Sequence, residues 1–65
     1  MEKKMTYGEQ FNLMMEFEEG DISQEDCIRL FQNLIDTGMA WTLQGFYGRT
    51  AQNMIEAGYC HRKGE

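Results

Sequence analysis

The residues of this chain best equipped for chemistry stand close together, in the run Trp41-Thr42-Leu43-Gln44-Gly45-Phe46-Tyr47-Gly48-Arg49-Thr50-Ala51. The run holds the only Trp, two further aromatics, two glycines and an internal Arg. Gly48-Arg49-Thr50 at the opening of a helix has the form of an anion seat, where free backbone N–H groups and a cation converge. The plainer reading is a helix cap, with Thr50 capping the last helix and Gly48 letting the backbone turn sharply before it. Trp41 and Leu43 read first as core between helices, whereas Phe46 and Tyr47 serve equally as core or as contact. A cation at a helix start opposes the helix dipole and adds little stability, so Arg49 in that position points to a partner, an anion or a neighbouring subunit. The expected contact residues are therefore Trp41, Gln44, Phe46, Tyr47, Arg49 and Thr50.

Other chemistries find no support. Cys60 and His61 are adjacent possible metal ligands, but a closed zinc site needs four and only the distant Cys27 could add to them. Covalent catalysis by Cys27 requires a base, and His61 is the sole histidine. Cys27 also lies on the apolar face of its helix, where a buried and inert thiol is the default. No paired carboxylates stand beside a pocket-forming segment. The expectation is a protein without catalytic residues, metal or cofactor. The opening Met-Glu-Lys-Lys-Met-Thr-Tyr-Gly lacks the apolar stretch of a secretory signal, and nothing approaches the apolar length of a membrane span. Two free thiols in a reducing cytoplasm follow as the expectation, with no membrane partner.

The formal charge of −5 and pI near 4.7 oppose binding along a phosphate backbone. A helix-turn-helix reader of DNA would offer Gln52, Asn53 and Glu56 from its last helix with no flanking positive surface. Nucleic acid is thus not an expected partner. The acids at Glu16, Glu18, Glu19, Asp21, Glu25 and Asp26 read as a solvated junction between two helices. The sharper alternative is an acidic patch that docks on a basic protein surface or imitates nucleic acid.

At 65 residues the chain has room for one domain. A domain so short buries only roughly 60% of its unfolded surface and usually needs a staple or a partner. The punctuation is helical. Thr6 and Glu9 have the form of a capping box before Phe11, Leu13, Met14, Met15 and Phe17, and Gly20 can end that helix. Ser23 is a good N-cap, with Glu25 and Asp26 in the first turn, Asp26 at the reciprocal capping position, and Ile22 and Cys27 at the positions of a hydrophobic staple. Cys27, Ile28, Leu30, Phe31, Leu34 and Ile35 follow at helical spacing. Gln32-Asn33-Leu34-Ile35-Asp36-Thr37-Gly38 resembles Gln52-Asn53-Met54-Ile55-Glu56-Ala57-Gly58, so one helix-ending device is expected twice, with Met39 folding back on Leu34 and Tyr59 on Met54. Ala40 to Gln44 is long enough for a short helical turn that stops at Gly45, and the last helix is expected from about Thr50 to Ala57. The fold class is all-α: one domain over 1–65, a small bundle of about three helices plus a short helical turn around 40–45, with 1–5 flexible and 61–65 frayed. The first helix spreads its apolar residues over more than one face. It is the expected donor of a homo-oligomer contact.

The stretch from Leu34 to Ala51, followed by Met54-Ile55-Glu56-Ala57-Gly58, resembles a group of very small proteins encoded by tailed bacteriophages. The shared pattern is Trp-x-Leu-Gln-Gly-x-Tyr-Gly-Arg-Thr-Ala, and the resemblance covers about the C-terminal 40 residues. It implies a phage protein in the cytoplasm of a host cell and supplies no active site. Small acidic phage proteins mostly act by binding, so the implied function is contact with a host protein or defence system, modulating or inhibiting it. Two alternatives stand beside it. One is an oligomer that holds a small anionic ligand such as a nucleotide signal through Trp41, Tyr47, Arg49 and Thr50, and the weaker one is a DNA-binding regulator.

Overall fold

The computed structural model describes residues 5–62, and the flexibility expected for 1–4 and fraying for 63–65 lie outside that range. Three helices and one short turn make up the fold: α1 (Tyr7–Glu19), α2 (Gln24–Thr37), a 3₁₀ turn (Met39–Trp41) and α3 (Gly45–Glu56), with no strand among the described residues. The all-α bundle with a short helical turn is the fold observed. The turn falls slightly earlier than 40–45, because Gly45 opens α3 and does not close the turn.

Local chemistry sets the first two starts. Thr6 Oγ1 accepts from the Glu9 N–H at 3.1 Å and the Thr6 N–H donates to Glu9 Oε1 at 3.2 Å, a complete capping box. Ser23 Oγ accepts from the Asp26 N–H at 3.1 Å. The reciprocal bond expected from Asp26 is replaced by a salt bridge, since its Oδ1 accepts from Arg29 Nη1 at 3.1 Å.

The helix ends fall where glycine permits a left-handed residue. Gly20, Gly38 and Gly58 take φ of 82°, 82° and 88°, a conformation costing other residues about 1–2 kcal/mol. After α1, the Asp21 N–H returns to the Glu16 carbonyl at 2.9 Å. After α3, the Tyr59 N–H returns to the Met54 carbonyl at 2.9 Å. α2 ends differently. Its Gly38 N–H reaches the Ile35 carbonyl, but the Met39 N–H turns to Thr37 Oγ1 at 3.4 Å and the Gly38 carbonyl accepts from Trp41. The 3₁₀ turn thus takes the place of a backbone return to Leu34, while the Met39 side chain still packs against the core that Leu34 belongs to.

α2 is the axis of the bundle: α1, the 3₁₀ turn and α3 each pack against it, while the turn also packs against α3. It supplies Leu30, Phe31, Leu34 and Ile35 to the core, joined by Ala40, Tyr47, Ala51 and Cys60. The gap between α1 and α3 is filled by rings. Phe17 meets Phe31 edge-on at 5.1 Å and stacks on Phe46 at 6.2 Å, and Phe46 and Tyr47 lie 4.4 Å apart. Both staple residues, Ile22 and Cys27, pack against this core.

Gln32 grips the backbone of His61 with both ends of its amide, Nε2 to the carbonyl at 3.0 Å and Oε1 from the N–H at 3.0 Å. Between these anchors Cys60 is buried, its thiol 3.7 Å from the Ile28 carbonyl. No described helix is long and apolar enough to cross a membrane.

Candidate functional site

The six residues expected to form one contact surface divide between the ring cluster, an apolar groove and the exposed surface. Tyr47 belongs to the core: it is 2% exposed, and its hydroxyl donates to Glu18 Oε2 at 2.6 Å. Phe46 is half-buried in the same ring cluster. Tyr47 is therefore not available as a partner contact, whereas Phe46 joins the ring cluster and keeps part of its surface exposed.

Thr50 faces an open apolar groove of about 480 Å³, lined also by Phe17, Ile22, Cys27, Met54 and Tyr59. It lies inside α3, so the expected helix cap at Thr50 is not formed, nor is the anion seat at Gly48-Arg49-Thr50. α3 begins five residues earlier, with Gln44 at the N-cap and no side-chain cap bond. The backbone N–H groups of Arg49 and Thr50 lie beyond its first turn, where the helix itself consumes them. A Cβ at Gly48 would stand 3.4 Å from the Ala40 carbonyl oxygen and 3.9 Å from Trp41 Cε3, ordinary contact for one methyl group, so the close approach of the 3₁₀ turn to α3 limits the size of this side chain.

Trp41, Gln44 and Arg49 remain at the surface. The Trp41 ring, expected in the core, is 45% exposed. One face turns toward α3 at Gly48, and the Arg62 guanidinium stands over the ring at 5.5 Å from its centroid. Arg62 Nη2 also donates to Gln52 Oε1 at 2.7 Å. Beside Trp41 the surface thus holds the Arg62 guanidinium and the Gln52 amide, on a chain that is acidic as a whole, while Gln44 and Arg49 are exposed. Arg62 and Gln52 were not legible as companions of Trp41. Ten residues separate them from each other, and only the return of the chain across α2 and α3 brings Arg62 to the ring.

Both thiols are held toward the protonated form. Burial pushes the Cys27 thiol up from its usual 9.0, and burial with the nearby Cys27 and Asp36 does the same to Cys60. Among the described residues no three His, Cys, Asp or Glu side chains converge as metal ligands.

The Tyr47 phenol is pushed up from its usual 10.0, first by burial and then by the hydrogen bond and charge of Glu18. The sign follows from linkage: a folded-state value raised above the unfolded one contributes stability that is full below pH 10.0 and is lost as pH rises through the folded value. The melting temperature of the wild type is therefore expected to fall as pH rises above about 10. Tyr47→Phe should show a shallower fall over the same window. An equal alkaline slope in both proteins would place the phenol elsewhere than against Glu18.

No curated protein and no solved structure matches the chain. Residues 8–65 match the family model described as Domain of unknown function (DUF7417), a span that takes in α1 from its second residue, α2, the 3₁₀ turn and α3. This chain belongs to that family.

Proposed function

We propose that this chain is a small bacteriophage accessory protein that acts by protein–protein contact in the host cytoplasm, modulating or inhibiting a host protein or defence system. One observation carries the reading: the sole Trp of a short chain lies half at the surface, under the Arg62 guanidinium. Trp and Arg are the residues that most often dominate binding energy at protein interfaces. The resemblance to small tailed-phage proteins supplies the biological setting. Trp41 is the proposed anchor, with Gln44 and Arg49 at its margin.

The test is capture from infected host cells with a tagged chain, followed by binding measurements on the purified pair. A discrete host protein is expected with the wild type, and Trp41→Ala should bind it at least about tenfold more weakly. Arg49→Ala should also weaken binding while melting within a few degrees of wild type, since its side chain is exposed and makes no ion pair among the described residues. Recovery of the tagged chain alone would count against the reading, as would a salt-sensitive shift of DNA mobility.

A further inference from the structure

The groove that Thr50 faces lies where the chain passes from α1 to α2. It takes Phe17 from α1, Ile22 from the connection, Cys27 from α2, and Met54 and Tyr59 from α3 and the residues after it. Its volume of about 480 Å³ falls within the ~300–1,000 Å³ of ligand-binding clefts. The Ser23 hydroxyl on its wall already accepts from the Asp26 N–H, so apolar contact is what the groove chiefly offers. Acids frame it in sequence. Glu16 and Glu18 flank Phe17, Glu19 and Asp21 flank Gly20, and Glu25 follows Gln24, and all five are exposed. Glu18 is held by the Tyr47 hydroxyl. The side chains of Glu16, Glu19, Asp21 and Glu25 form no hydrogen bond or ion pair among the described residues. Glu25 has a local reason, since it stands in the first turn of α2, where the helix dipole favours an anion. Glu16 and Glu19 have the opposite setting: they stand in the last turn of α1, which holds no base, where the dipole favours a cation. Local stability gives no reason for acids there. The cations nearest in sequence are Arg29, already paired with Asp26, and Arg49 beside Thr50.

We propose that this groove docks a cationic amphipathic helix of a partner protein, its apolar side chains in the groove and its Lys and Arg against Glu16, Glu19 and Asp21. The apolar lining calls for anchors that recur along one helix face. The unpaired carboxylates and the C-terminal end of α1 then select the sign of the flanking charge, because both attract cations. An acidic helix, a fatty carboxylate or a phosphate backbone would meet the same groups as repulsion. A second copy of this chain does not fit either, since none of α1, α2 and α3 carries a net positive charge. The docking site shares no residue with Trp41, Gln44 or Arg49, so either surface can fail without the other.

The test uses the full chain at about 0.15 M salt and a pair of synthetic helices. Both carry leucine along one face, and one has lysine at the remaining positions where its counterpart has glutamate. The lysine helix should bind at least about tenfold more tightly than the glutamate helix. Its binding should slow alkylation of Cys27, which lines the groove, and leave the buried Cys60, outside the groove, unchanged. The double variant Glu19→Lys with Asp21→Lys should lose the preference for lysine. It should nevertheless melt at or above the wild-type temperature, because a cation suits the end of α1. A merely structural role for these acids would instead lower the melt. Equal affinity for the two helices overturns the proposal, as does binding of neither at about 200 micromolar. So does a Cys27 alkylation rate that the bound helix leaves unchanged, or a lysine helix held as tightly by the double variant as by the wild type.

Discussion

Phe31→Ala is expected to leave a chain that is mostly unfolded at room temperature. The ring is 0% exposed, meets Phe17 edge-on at 5.1 Å and lies 6.0 Å from Tyr47. Truncating a buried Phe costs about 3–5 kcal/mol, the lost transfer energy together with the cavity left behind. A 65-residue domain has only about 3–10 kcal/mol in total, so one such cavity takes most of it. The effect is concentrated because α1 and α3 meet through rings and not through close backbones. Without Phe31 both lose their seat on α2, and helices of 12–14 residues are marginal alone. Far-UV circular dichroism under urea should show a transition shifted strongly toward zero denaturant or absent. Trp41→Ala is the contrast. With its ring half exposed it should cost about 1 kcal/mol, far less than a buried Trp would. If Trp41→Ala unfolds the protein and Phe31→Ala does not, the ring cluster is misassigned as the core.

What could be read from the sequence was local in origin. Thr6 with Glu9, Ser23 with Asp26, and the glycines at 20, 38 and 58 each act within one helical turn, so their residue types suffice to place a helix end. The apolar period of α2 identified all four of its buried residues, because a helix packed on several sides shows its burial in its own spacing. Reading failed where a distant partner decides the outcome. Gln10 is buried because Asn33 and Met39 receive it, 23 and 29 positions away. The His61 backbone is held by Gln32 through a pair of bonds spanning 29 positions. Of the candidate site, Trp41, Gln44 and Arg49 are surface residues as a contact requires. Tyr47 is buried and Phe46 half-buried because the gap between α1 and α3 must be filled, and composition says nothing about such a gap. Aromatic residues between helices carry both meanings until the third helix is placed.

The start of α3 is the sharpest of these failures, and glycine substitution distinguishes its two possible causes. Gly45 and Gly48 each disfavour helix by about 1 kcal/mol relative to Ala, so propensity moves the expected start to Thr50. The bundle overrides that preference at Gly48, since the Ala40 carbonyl oxygen lies 3.4 Å from the position of a Cβ. Such a distance is ordinary contact for one methyl group and closed to anything more. Gly48→Ala is therefore expected to melt at or slightly above the wild-type temperature, the helix preference offsetting a tight but tolerable contact. Gly48→Val should lose about 2–3 kcal/mol, because its added methyl groups must displace either the Ala40 backbone or the Trp41 ring. Gly38→Ala supplies the comparison: at φ of 82° with nothing within 4 Å of its Cβ, it should lose about 1–2 kcal/mol from backbone strain alone. If Gly48 served a sharp left-handed turn before a helix at Thr50, its Ala variant would fall with that of Gly38. The order expected for a glycine inside α3 is instead Gly48→Ala most stable, Gly38→Ala lower and Gly48→Val lowest, read from thermal melts of the three. A loss at Gly48→Ala equal to that at Gly38→Ala would return the helix start to Thr50 and reopen the anion seat that the longer α3 closes.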